Sequence, residues 1–205
     1  MTTWTFKGPV AALGLMALTA CEAGQGLDLG GGFNLKSTDT SDAPLSRSMM
    51  ASGTILVAPS GYCIDQATLT SRFLVMARCD ALGVPSAAGA APRGLITVSL
   101  TKSRPGPLPS AKQIAAATDL TNISDIEATE DLITFRAQGK IPVGGLSPTQ
   151  WRGTARIGSQ TAGIAVYGPE HGEITTRTGR GIVIELANAS IEATPKPVKK
   201  PASRN

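Results

Sequence analysis

The chain has 205 residues, 19 Lys+Arg against 15 Asp+Glu, one histidine and three cysteines. That length gives one ordinary domain plus extensions, and the composition is neither collagen-like nor a dense disulfide scaffold. The basic excess does not describe a nucleic-acid-binding domain. Lys7 lies in a leader-like segment, and four of the other 18 cations fall in the last 11 residues, which leaves 14 cations against 15 acids elsewhere.

In chain order, the first element is an apolar run, Val10-Ala11-Ala12-Leu13-Gly14-Leu15-Met16-Ala17-Leu18, preceded by Lys7. The run has nine residues, whereas a bilayer core needs about 20. Its length suits the core of a secretory signal, and small residues follow it. The run closes on Leu18-Thr19-Ala20-Cys21. An aliphatic residue, two small residues and a cysteine directly after such a core resemble the lipobox of bacterial lipoproteins. The resemblance covers the first 21 residues and implies nothing about the fold beyond them. It implies cleavage of residues 1–20, a diacylglyceryl group on the Cys21 thiol and acylation of its new amino group. Membrane lipid reached through acylated Cys21 is then the first expected partner, with the chain anchored in the cell envelope and facing the periplasm. Glu22 rather than aspartate follows the cysteine, which by the same resemblance favours the outer over the inner membrane.

Residues 21–50 read as a flexible tether. Gly24, Gly26, Gly30, Gly31 and Gly32 precede a Ser/Thr/Asp/Pro stretch, Ser37 to Pro44. Such a coil of about 29 residues has a root-mean-square reach of roughly 30 Å. At the other end, residues 194–205 read as a disordered tail. Pro195 to Asn205 contains three prolines, four cations and no acid, a composition that neither continues a helix nor buries a core. Such a tail is suited to anionic lipid or cell-wall polymer.

The domain is expected over residues 51–193, with Cys63 and Cys79 as the two cysteines left once Cys21 carries lipid. In an oxidising compartment they read as a disulfide. Predicted strands Thr54–Ala58 and Phe73–Ala77 stand ahead of the two cysteines, so a pair of antiparallel strands bridged near one end is the simplest geometry. A further strand is expected at Leu95–Leu100, a stiff connector at Pro105–Pro109, and a short helix from Ala111 to Asp119 capped by Ser110. Asn122–Gln138 supports either a helix, through Ser124-Asp125-Ile126-Glu127, or a hairpin. The alternation of Ile133, Phe135 and Ala137 with Thr134 and Arg136 favours the hairpin. Trp151–Ile157 and Thr161–Tyr167 around Gly158-Ser159-Gln160 form the clearest hairpin. Thr176–Ala193 carries a helical stripe of Ile182 or Val183, Leu186, Ala187, Ser190 and Ile191, although Ile182-Val183-Ile184 also suits a strand. Together these give a single α+β domain, a mostly antiparallel sheet with packed helices.

Few residues offer chemistry. GxSxG, Walker and CxxC patterns are all missing from the sequence. His171 is the sole histidine and sits in a Pro/Gly loop, where exposure is the default. Gly179-Arg180-Gly181 would offer backbone N–H groups to an anion if it opened a helix, but glycine there more often relieves crowding. The acidic turn around Asp125, Glu127, Glu130 and Asp131 reads as solvated, and Trp151 as sheet packing. No catalytic, cofactor-binding or metal-ligating set is assigned, and no nucleic-acid partner is expected. The functional expectation is an envelope lipoprotein with a non-catalytic binding or assembly role, meeting another envelope protein. The alternative is an envelope hydrolase or small-ligand carrier.

Overall fold

The computed structural model describes residues 43–84 and 91–196, which include nine strands and two α-helices. The signal segment, most of the tether and the last nine residues lie outside that range.

Strands β1 (Arg47–Met49) and β2 (Ile55–Val57) form a small antiparallel pair. Strands β3 (Tyr62–Asp65), β4 (Phe73–Arg78) and β5 (Leu95–Lys102) follow, and then helix α1 (Ala111–Ala117). Next come β6 (Thr121–Ala128), β7 (Leu132–Gln138), β8 (Leu146–Ile157), β9 (Gln160–Pro169) and helix α2 (Arg177–Ala193). The large sheet has the order β3-β4-β5-β9-β8-β7-β6, with every pairing antiparallel. The chain is therefore a single α+β domain. The Asn122–Gln138 region is a hairpin and the Thr176–Ala193 region a helix.

Alternation sorts the side chains between two faces. On the first face Leu74 and Met76 of β4, Ile96 and Val98 of β5, Trp151 and Ala155 of β8, and Ile164 and Val166 of β9 are all buried. Helix α2 covers this face with Ile182, Val183, Leu186 and Ala187. On the second face Ile133, Phe135 and Ala137 of β7 meet Ala111 and Ala115 of α1 and Leu120. Helix α1 starts in a capping box: Ser110 Oγ accepts from the Gln113 amide at 3.3 Å, and Gln113 Oε1 accepts from the Ser110 amide at 2.8 Å.

The β1–β2 pair sits beside α2 and is held by side chains of that helix. The Ile55 amide donates to Thr194 Oγ1 at 2.9 Å, and the Val57 amide to Ser190 Oγ at 3.0 Å. Ser60 donates through its amide and hydroxyl to Glu185 Oε1. These bonds satisfy the N–H groups on the edge of β2 that no strand pairs.

Three elements differ from the sequence reading. Leu45–Met50, assigned to the tether, joins the fold: Leu45 bridges Ile64, β1 pairs with β2, and Met50 is buried. A boundary drawn from Gly, Ser and Pro content overlooked a glycine-free stretch with Leu45 and Met50 to bury. Thr194, assigned to the tail, is likewise buried through its bonds to Ile55. Thr54–Ala58 is not the strand bridged to Phe73–Ala77. Tyr62–Asp65 is itself a strand and pairs with β4 in register Cys63↔Ala77, a four-residue element too short to show alternation.

Helix α2 approaches closely where glycine allows it. A Cβ on Gly179 would collide with the Ile174 carbonyl oxygen and the Trp151 ring, whereas one on Gly181 would meet nothing within 4 Å. Gly179→Ala is therefore expected to cost more than about 2 kcal/mol, and Gly181→Ala to add about 0.5–1 kcal/mol through lost chain entropy. Chemical denaturation of the two variants checks this, and equal effects would refute the close approach.

Tyr62 supplies a pH test. Its hydroxyl donates to the Pro92 carbonyl at 2.6 Å, and burial pushes its pKa above the ordinary tyrosine value. The folded value exceeds the unfolded one, so stability is full below about pH 10 and falls as pH rises past it. In Tyr62→Phe the alkaline limb of stability against pH is expected to flatten; an unchanged limb would show that Tyr62 does not titrate in this way.

Candidate functional site

Cys21 lies outside the described residues. Cys63 and Cys79 form a disulfide with Cα atoms 4.9 Å apart, joining β3 to the residue after β4. The bridge packs in a small apolar cluster with Ala77 and Leu82. Beside it, the hydrogen-bonded Arg78 guanidinium holds the Asp80 carboxyl below the usual carboxylate range.

The other residues singled out from sequence scatter. His171 is exposed in a turn with φ of 59°. Gly179 is buried against Trp151, while Arg180 forms an ion pair with Glu127. Asp125 faces Arg136 at 3.9 Å, so two of the four carboxylates near the β6–β7 turn already meet cations. Trp151 is core, 1% exposed, and its Nε1–H donates to the Thr176 carbonyl at 2.5 Å.

The fold assembles a feature that the sequence did not disclose. On the second face α1 covers β7, and the disulfide cluster covers Ala77 of β4. Between them lies the central strip of the sheet, with Thr97, Ser99 and Thr101 of β5, Gly163 and Ala165 of β9, and Arg152, Thr154 and Arg156 of β8 in cross-strand register. Toward the C-terminal end of β5, the connector to α1 rises beside this strip. It begins with the Ser103 amide donating to the Ser159 carbonyl at 3.0 Å, while the Ser103 and Thr161 hydroxyls lie 3.0 Å apart.

The connector and strip enclose an open cleft of about 790 Å³. Its charged lining residues are Lys102, Arg104 and Arg156; the others are neutral, among them Thr101, Ser103, Gln113, Thr161 and three prolines. No carboxylate lines it. Arg156 anchors the cleft, since its guanidinium donates to the Gly106 carbonyl at 2.7 Å while its Nε–H is buried without a partner.

Arg152, two residues along the same face, is also half-buried. Its guanidinium lies 5.5 Å from the centre of the Tyr167 ring, and its Nε–H has no partner. Burial holds its pKa below the ordinary arginine value, yet guanidinium stays protonated at neutral pH. The ion pairs among the described residues involve Arg78, Arg136 and Arg180, not Arg152 or Arg156. The β8 face therefore carries two guanidinium groups with no carboxylate at ion-pair distance, and it is chemically suited to an anion with several acceptor oxygens.

The signal for this strip was in the spacing: Arg152 and Arg156 are four apart in a strand and so share a face. The partners of Arg156 were hidden, because Lys102 and Arg104 reach it only through β5–β9–β8 pairing.

No family model matches the chain, and no curated protein matches it. Among solved structures it is similar to the solution structure of cyanobacterial PsbP (CyanoP) from Synechocystis sp. PCC 6803, at 10% identity and a TM-score of 0.39, over 76% of this chain and 96% of that one. A likeness this slight carries no argument about what the chain does.

A half-buried guanidinium without a carboxylate contributes little to stability once its desolvation is counted. Its contact with the Tyr167 ring offsets only about 0.5–2 kcal/mol. Arg152→Met is thus expected to change stability by less than about 1 kcal/mol, against about 3–5 kcal/mol lost in Trp151→Ala. Thermal unfolding of both variants decides it, and a comparable loss in each would make Arg152 a structural residue.

Proposed function

We propose that this chain is a bacterial envelope lipoprotein, cut before Cys21, held by lipid on that cysteine and facing the periplasm, with a non-catalytic binding or assembly role. The anchor rests on Leu18-Thr19-Ala20-Cys21 standing directly after an apolar core of signal length. Glu22 favours the outer membrane. The Cys63–Cys79 disulfide suits the oxidising space this implies. No helix of the described residues is long and apolar enough to cross a membrane, so attachment by lipid supplies what such a helix would.

The binding role is carried by one observation: the cleft holds Lys102, Arg104 and Arg156 with no carboxylate in its lining. Three cations, Lys102 at the end of β5, Arg104 in the connector after it and Arg156 on β8, are mutually repulsive in the free protein. An anionic partner relieves that repulsion and gains charge-assisted hydrogen bonds from the guanidinium groups. This favours recognition over the hydrolytic alternative, for which the cleft presents no base beside a nucleophile.

The anchor is tested by metabolic labelling with a palmitate analogue in a bacterial host. The wild-type chain is expected to be labelled and processed, and Cys21→Ser to accumulate as an unlabelled precursor. Label retained in Cys21→Ser would sink the reading.

A further inference from the structure

We propose that the end of the domain bearing the cationic cleft docks on the anionic lipid headgroups of the membrane to which the chain is anchored. The inference rests on the lipid-anchor reading for its proximity to a bilayer, but the surface itself is argued from the fold.

The first observation is where the chain enters and leaves. The Ala43 carbonyl accepts from the Gln66 side chain in the β3–β4 connection. At the other terminus Thr194 packs over Gly158 in the β8–β9 turn. Both connections lie at the end of the sheet where β5 finishes at Lys102. Cys21 is 22 residues before Ala43, and a flexible segment of that length has a reach of roughly 25 Å. Lipid on Cys21 therefore holds this end, rather than the opposite one, near the bilayer at high effective concentration.

The second observation is charge. Arg72, Lys102, Arg104, Arg156 and Lys196 all belong to this end, the first three and Lys196 exposed. Beyond Lys196 the sequence adds Lys199, Lys200 and Arg204 and no acid. Carboxylates also occur at this end, namely Asp65 in the β3–β4 connection, Glu192 on α2, and Glu130 and Asp131 in the β6–β7 turn; none lines the cleft of Lys102 and Arg104, while Glu130 lines a neighbouring pocket together with Arg156. Each cation near an anionic bilayer is worth about a fivefold gain in partitioning.

The third observation is apolar. Met49 is 71% exposed and Phe73 40% exposed, and they are among the few large apolar side chains left in water within the described residues. Met49 pairs with Ile55, whose amide is bound by Thr194, and Phe73 opens β4 beside Arg72. Both thus flank the cationic end, and apolar and aromatic side chains beside basic ones are the pairing that seats a protein at the headgroup boundary.

The test uses the mature chain, residues 21–205, made without lipid through Cys21→Ser. Its partitioning is measured by cosedimentation with vesicles of phosphatidylglycerol and phosphatidylcholine in equal parts, and with phosphatidylcholine alone. Binding is expected only to the mixed vesicles and is expected to weaken with salt. The double variant Lys102→Gln/Arg104→Gln, at two exposed positions, is expected to bind about 25-fold more weakly, at about fivefold per cation, with an unchanged melting temperature. Equal binding to both vesicle types would overturn the proposal. So would binding insensitive to the double variant but abolished by removing residues 197–205, which would assign the contact to the tail. Full displacement by millimolar glycerol phosphate would overturn it too, marking the cleft as a site for a soluble anion. Palmitate labelling of Cys21 is read independently. A labelled chain with no vesicle preference refutes the docking alone, and an unlabelled chain that still prefers anionic vesicles refutes the anchor alone.

Discussion

The contact on which the rest of the structure depends is the seating of α2 on β8 and β9. Two glycines permit it. Gly153 leaves room on the strand for the Val183 side chain, and Gly179 brings the first turn of the helix against the Ile174 carbonyl and the Trp151 ring. With the backbones this close, Val183, Leu186 and Ala187 lie directly on Trp151, Ala155 and Ile164, and all six are essentially excluded from water. The Trp151 Nε1–H then reaches the carbonyl of the helix N-cap residue, Thr176. The largest side chain of the core thereby buries its ring without losing its donor.

That seating decides what the two faces do. Once α2 runs along β8 toward the β8–β9 turn, its last polar residues, Ser190 and Thr194, lie within reach of β2. The β1–β2 pair is fixed to the helix through these bonds and completes the cover of the first face. Both described termini come to one end of the sheet as a result. The second face receives α1, a helix of seven residues over β7, and the small disulfide cluster over β4. A helix that short cannot shield a seven-stranded sheet, so Ser99 and Thr101 of the central strip are exposed and Arg152 and Arg156 half-buried, while Thr154 and Ala165 are buried within it.

Local elements were legible where one physical rule governed them. Alternation disclosed the β6–β7 and β8–β9 hairpins, and the Ser110 cap disclosed α1. The two cysteines left once Cys21 is assigned to lipid pointed to their disulfide. What remained hidden had its cause outside the local sequence. β3 is four residues long, and its partner β4 defines it. β1 exists because β2 needs a neighbour, while β2 is held by hydroxyls more than 130 residues away. The cleft was hidden for the same reason. Lys102 and Arg156 are far apart in the chain, and they line one cleft only because β9 returns between their strands.

The arginines of β8 bear on how that strip is used. A neutral side chain is compatible with folding along this strip, since Thr154, between the two arginines on the same face, is itself buried. Guanidinium groups there cost desolvation, and each has a buried Nε–H with no acceptor. Neither has an acidic partner, although carboxylates elsewhere in the fold meet Arg78, Arg136 and Arg180. Exposed arginines elsewhere also lack a carboxylate partner, but Arg152 and Arg156 lack one while half-buried. A charge kept at that cost, where a neutral residue would suffice for folding, is what the proposed anionic partner would account for by supplying the missing acceptors. The cleft at the end of this strip lies where both described termini emerge, the side from which lipid on Cys21 would reach a membrane under the proposed anchor.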